Sequence, residues 1–421
     1  MPDNPLSRRQ FVSVAGTASA AMLAGCDGDG GSNELELVHW WTAGGEEDAI
    51  QALIDGYEEE YDYTVNNNPA PGGAGSALDT VIQNRVLNEN PPGTFQIWPG
   101  KAMNTYLDSD VLADIGSVWT DEMQSAYQDG VMELAQTDDG TFVAVPVNIH
   151  RLNNLFYNVS VVEDAGVDPA SLETPGDVLT AMETVEAETD AAGMAHQTSA
   201  QWSTVQLWED ILVGQAGVDT YLDVLDGNVA ANEQAVKDAL QLTADYREYF
   251  IEDAGSVSWD TGNQSVIQDE AAFLHQGDWA AGQYKSAEDF EYGTDWDYVP
   301  FPGTGDVYHV VSDAFVMPQP NPSPDATEAW LSYAGSVDGQ IAFNTNKGSI
   351  PPRTDVSMDE FGPFLTSQSE DFGASTAQPP TIAHGTGVTP TVKGNVEDAF
   401  ADFIANWNVD DTYSGIESAF N

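Results

Sequence analysis

Between Glu34 and Trp98 the apolar residues change period repeatedly, from strand to helix and back, and a chain with that rhythm must bury its faces in layers. Glu34-Leu35-Glu36-Leu37-Val38-His39-Trp40-Trp41 alternates and then turns apolar, which predicts a strand. Ile50, Leu53, Ile54, Tyr57 and Tyr61 then recur at helical spacing. Tyr63-Thr64-Val65 reads as a second strand, and Pro69 to Gly75 as a loop. Leu78, Val81, Ile82 and Val86 mark another helix, and Thr94 to Trp98 a third strand. Strand, helix, strand, helix, strand is the pattern of an open, mainly parallel sheet, so the fold class is α/β. Later segments repeat the theme. Phe142 to Val147 and Asp313 to Met317 read as strands, and helices are marked by Leu179, Met182 and Val185 and by Leu207, Ile211 and Leu212. Val396, Phe400, Phe403, Ile404 and Trp407 predict a closing helix. A chain of 421 residues divides into two such domains rather than one. Ligands in open α/β sheets bind beyond the carboxyl ends of the strands, so two facing domains would form a cleft.

Charge narrows the setting. Asp and Glu total 69 against 11 Lys and Arg, a net charge of −58. Such self-repulsion opposes compaction in dilute buffer. In brine the screening length falls to roughly 3 Å at 1 M salt, and the same surface becomes tolerable. Disorder also favours high net charge, but 41% hydrophobic residues and 11 Trp argue for a packed core. The expectation is a halophilic, folded protein. An acidic surface repels phosphates, which argues against nucleic acid as a partner.

The N-terminus reads as an address. Ser7-Arg8-Arg9-Gln10-Phe11-Val12 resembles a twin-arginine export signal, with Val12 and Ser13 departing from the usual ending. The apolar stretch from Phe11 to Ala24 is short of the ~20 residues needed to cross a bilayer. It ends in Leu23-Ala24-Gly25-Cys26, which looks like a lipobox. Residues 1–25 are therefore expected to be an export signal, Cys26 a lipid attachment site, and 26–33 a flexible tether. Cys26 is the single cysteine, so no internal disulfide can form. The expected location is the extracellular face of the cell membrane.

Motifs spread along the chain resemble the family 1 extracellular solute-binding proteins of ABC sugar importers, in the glucose- and mannose-binding branch. They include His39-Trp40-Trp41-Thr42-Ala43-Gly44-Gly45-Glu46, Asn90 to Ile97 and Val143 to Arg151. Gly277-Asp278-Trp279-Ala280, Val299 to Thr304, Ser312-Asp313, Asn346 to Pro351 and Ala383-His384-Gly385 complete the series. The resemblance implies a two-lobed periplasmic-binding-protein-like fold, each lobe an open sheet flanked by helices. Lobe 1 would hold 34–147 plus 309–345, and lobe 2 would hold 148–308 plus 346–421. It implies a non-catalytic monomer that captures a monosaccharide, glucose by preference, and hands it to the importer's permease subunits. No metal or cofactor is expected.

A pyranose presents apolar C–H faces and a rim of hydroxyls, so its site needs flat rings and fixed polar groups. The resemblance assigns these to Trp40, Trp41, Glu46, Gln96, Trp98, His150, Trp259, Trp279, Asp313, Lys347 and His384. Adjacent strand residues point to opposite faces, so one of Trp40 and Trp41 is expected in the core. Glu47 competes with Glu46, because the turn length shifts the register. Trp98 stands where relatives carry His or Lys, and Lys101 nearby could supply a donor. Trp202 is a weaker aromatic candidate, and Trp208, on a predicted helix, reads as packing. Asn148, His150 and Arg151 lie where the chain would cross between lobes. Asp313 enters an apolar strand and needs a partner: a sugar hydroxyl pair, Lys347 or both. Lys347, expected in a Gly-bounded loop, is one of few Lys left by the acid excess. The alternatives are another sugar, such as a disaccharide, or an extracellular glycosidase, whose two carboxyls would stand about 5–9.5 Å apart.

Overall fold

A computed structural model describes residues 33–70 and 76–421. The expected export signal, Cys26 and the expected tether through residue 32 lie outside the described residues, as do residues 71–75.

Among the described residues, eleven strands form two main sheets and one short ribbon: β1 Glu34–Val38, β2 Thr64–Asn67, β3 Thr94–Ile97, β4 Ala144–Pro146, β5 His150–Arg151, β6 Asn154–Asn158, β7 Ala192–Met194, β8 Ala271–Gln276, β9 Trp296–Pro300, β10 Val310–Val311 and β11 Ala314–Val316. The first sheet has the order β2-β1-β3-β11-β4, and the second β7-β8-β6-β9. Pairs β1–β2 and β1–β3 are parallel, whereas β11 runs antiparallel to both β3 and β4. In the second sheet β7–β8 is parallel, and β6 runs antiparallel to β8 and β9. Each sheet is thus mainly parallel in strand direction with a single reversed strand. The sequence patterns predicted the parallel majority but not these reversals. Their cause is the crossing chain. β6 follows β5, and β11 follows β10, and β5 and β10 pair with each other as the ribbon between the sheets. A strand entered from that ribbon must run away from it, opposite to strands that end there.

Two hydrophobic cores accompany the sheets. One gathers residues from 35–147 and 314–343, including Trp41, Phe315 and Trp330. The other draws chiefly on 149–310 and 350–419, with Trp208 and Phe400 packed together as the helical spacing predicted. This is the α/β, two-lobed architecture.

Helices fall where the 3.6-residue period places them. Gly45–Glu60 buries Ile50, Leu53, Ile54 and Tyr57 on one face. Gln201–Ala216 is buried along most of its length, from Trp202 to Val213. Pro390–Asn406 carries the Val396 pattern, ending at a left-handed Trp407. It is not the closing helix: Val409–Ala419 follows and packs against it, with Tyr413 and Ile416 buried. That last helix is short and rich in Asp and Ser, so its apolar stripe was too thin to stand out.

Candidate functional site

The ribbon and the strand ends surround a cavity of about 320 Å³. That lies at the small end of ligand pockets. Its polar wall is built on the crossing segments. Asn148 donates Nδ2–H to Asp313 Oδ2 (2.8 Å) and accepts the Asp313 backbone N–H (2.7 Å). His150 Nε2 lies 3.3 Å from Asp313 Oδ2, and its Nδ1 makes a short bond to Asp278. Asp278 also accepts the Arg151 backbone N–H at 3.0 Å. All of these side chains are buried.

The charges settle one another. Burial would raise the Asp313 carboxyl, but the bonds from His150 and Asn148 and the Lys347 charge outweigh it and hold its pKa at about 2. Burial disfavours charge on His150, and Lys347 adds to that, yet Asp278 and Asp313 lift its pKa above the usual histidine value. One ring nitrogen thus faces Asp278, and the other meets both Asp313 and the Asn148 amide, whose Nδ2 lies 2.9 Å from Nε2.

A second pair comes from distant parts of the chain. Glu46 sits in the first turn of Gly45–Glu60, and Lys347 is the last residue of the helix Val337–Lys347. Acid at a helix start and base at a helix end both suit the macrodipole. Lys347 Nζ meets Glu46 Oε1 at 2.7 Å, with both side chains buried. Burial raises the Glu46 carboxyl, and Lys347 pulls against that. Gly348 ends the helix at φ +85°, and a Cβ there would stand 2.6 Å from the Asp278 carbonyl oxygen. Only glycine meets both demands.

Aromatic rings close the remaining walls. Trp40 stands edge-on to Trp98 (5.0 Å between centroids), and Trp98 edge-on to His384 (4.9 Å). Trp279 lies 5.2 Å from His150 and 6.2 Å from Trp202. Trp259 begins the helix Trp259–Ile267 and packs against the same cluster. His384 has its pKa lowered to about 3, by burial first and then by Lys393, and is neutral. Its Nδ1 lies 3.2 Å from Thr381 Oγ1.

Of the residues the sequence singled out, Trp40, Trp41, Glu46, Trp98, His150, Trp259, Trp279, Asp313, Lys347 and His384 all line this cavity. Gln96 does not. It stands behind the wall, accepting the Trp40 backbone N–H (3.1 Å) and donating to Asp313 Oδ1 (3.0 Å). Trp41, 1% exposed, is chiefly core, wedged against Phe315 and Phe343, and Trp40 is the more open of the two. Glu46 rather than Glu47 takes the buried place. Lys347 ends a helix instead of lying in a loop, and its partner is Glu46 rather than Asp313. Lys101 supplies no donor to the cavity: it donates to the Gly387 carbonyl. Arg151 turns away to Asp371 (2.6 Å).

Trp202 joins the wall, as do Thr42, Ala43, Ser258, Asp260 and Val311, which sequence reading did not assign. Asp278 was visible inside a quoted motif, but nothing in the sequence showed that it faces His150.

Two α/β lobes with a polar and aromatic cavity at their crossing strands define the class of solute-binding proteins. The chain belongs to that family: the model described as bacterial extracellular solute-binding protein matches residues 52–367. A protein of Haloferax volcanii named xylose/arabinose-binding protein XacG is 37% identical over 454 residues, covering 99% of this chain and 98% of the relative. An uncharacterized ABC transporter extracellular-binding protein of Pyrococcus horikoshii is 34% identical over 388 residues, covering 92% and 87%. Among solved structures, the solute receptor AcbH, described as preferring β-D-galactopyranose, superposes with a TM-score of 0.79 at 14% identity, covering 92% of this chain and 97% of that one. That likeness is one of fold.

Proposed function

We propose that this chain is the binding subunit of an ABC sugar importer and that its cavity takes one monosaccharide in pyranose form. The observation that carries the reading is the composition of the wall. Trp40, Trp98, Trp259 and Trp279 offer flat apolar faces, while Glu46, Lys347, Asp313, His150 and His384 form a rim of fixed donors and acceptors. Rings suit the C–H faces of a sugar, and charge-assisted hydrogen bonds suit its hydroxyl pairs. A full-length relative named for xylose and arabinose favours a pentose, and glucose stands second through the glucose-branch motifs. Xylose in pyranose form differs from glucose only in lacking the hydroxymethyl arm.

The lobes of this reading are 34–147 plus 309–345 and 148–308 plus 346–421, hinged at the crossings. Sugar bound between them stabilises the closed form through contacts the open form lacks. The importer's permease then recognises the closed shape. Twin-arginine export, a lipid on Cys26, an extracellular site at the membrane and a monomeric state complete the proposal. Binding is favoured over catalysis because Asp313 is committed to His150 and Asn148, and Glu46 to Lys347. Incubation with xylo- and gluco-oligosaccharides is expected to return them intact. Release of shorter products would assign the cavity to a glycosidase.

A further inference from the structure

Behind the cavity lies a second network of buried titratable groups, none of which lines it. Asp210, on the helix Gln201–Ala216, bridges His275 Nε2 and His309 Nδ1, each at 2.7 Å. His309 Nε2 approaches the Tyr221 hydroxyl at 3.2 Å, and Tyr221 donates to Glu209 Oε1 at 2.5 Å. Glu209 then accepts two successive backbone N–H groups, from Ile382 to Oε1 at 2.6 Å and from Ala383 to Oε2 at 3.2 Å. Glu209, Asp210, Tyr221 and His309 are all fully buried.

The next residue in the chain is His384. Its backbone N–H goes to Thr381 Oγ1 (3.0 Å), and the turn is closed by Gly385 N–H to the Ile382 carbonyl and Gly387 N–H to the Thr381 carbonyl. Glu209 therefore grips the loop one and two residues before the imidazole that lines the cavity. The same helix carries Trp202, whose ring stands 6.1 Å from that of His384. A carboxylate this deep is costly unless its acceptor sites are filled, and three donors converge on this one.

Resting on the sugar-binding reading, we infer that Glu209, braced by Tyr221 and the His309–Asp210–His275 chain, is a positioning residue that fixes His384 in the cavity wall and so sets affinity for the sugar. Glutamine at 209 keeps the shape but turns an NH₂ donor toward one of the three donors it must accept. The carboxylate, not the volume, is the required feature.

The test is a double-mutant cycle in high salt with the tightest-binding sugar among xylose, arabinose and glucose. Glu209→Gln is expected to lose affinity about tenfold or more in the parent protein. In a His384→Ala background the same change should cost no more than about threefold, because the group it positions is gone. Equal losses in both backgrounds would overturn the inference and leave Glu209 a general brace. Tyr221→Phe removes one donor and keeps the ring, and it carries the cycle if Glu209→Gln does not fold. Histidine NMR of the ligand-free protein separates this from the sugar reading. The His384 ring signal should move in Glu209→Gln and Tyr221→Phe whether or not sugar binds, and an unmoved signal in both contradicts positioning. A parent protein that binds no monosaccharide would instead defeat the proposed function.

Discussion

Lys347 and Glu46 stand 301 residues apart in sequence and meet at 2.7 Å in the cavity wall. One closes a helix and the other opens one, and Asp278, His150 and Asp313 lie in the same neighbourhood of alternating charge. A site assembled this way depends on every member, because removing one leaves another buried and unpaired.

Replacing Lys347 with Met, or Asp313 with Asn, is therefore expected to cost about 2–5 kcal/mol of sugar affinity, the scale for truncating one partner of a buried hydrogen-bonded charge pair. Calorimetric titration in high salt reads this directly. Near-parental affinity in both variants would place the site elsewhere.

Stability should fall both as pH rises and as it drops, for opposite reasons. The folded pKa of His150 is raised, so its contribution is complete below the ordinary histidine value and is lost as pH climbs through the raised one. Asp313 is depressed to about 2, so its contribution is present above the ordinary aspartate value of 3.8 and lost as pH falls toward 2. Denaturant midpoints against pH at fixed salt should show both limbs, and His150→Ala should flatten the one above the ordinary histidine value.

Salt should govern folding itself. With a net charge of −58, cooperative unfolding is expected to disappear below roughly 1 M salt as screening weakens. A cooperative transition retained in dilute buffer would contradict this.

Gly348→Ala should destabilise by about 1–3 kcal/mol, from the left-handed backbone and the approach to the Asp278 carbonyl. Because that carbonyl belongs to the residue paired with His150, sugar affinity should fall with it. Unfolding midpoints and titrations on the same sample separate the two effects.

Much of the fold and cavity is legible in the sequence. The period changes between Glu34 and Trp98 located β1, β2 and β3 and both intervening helices, since one-sided burial writes itself into spacing. The motif positions brought the cavity residues together except for Gln96, whose side chain turns to Trp40 and Asp313 behind the wall. Rotamer direction leaves no trace in spacing. The partners of Lys347 and His150 were equally out of reach, because Glu46 and Asp278 join them only through tertiary packing. The reversal of β6 and β11 follows from where the chain crosses, which local pattern does not record. Glu209 and Asp210 looked like two more acids among 69, and only their complete burial marks them out.

Monosaccharide binding in the cavity is tested most directly by calorimetric titration of the parent protein in high salt with xylose, arabinose, glucose, galactose, mannose and maltose in turn. Saturable binding of one monosaccharide is expected at micromolar dissociation constant or tighter, a pentose ahead of glucose, with the sugar recovered unchanged. No heat with any monosaccharide, or binding of maltose alone, would contradict it.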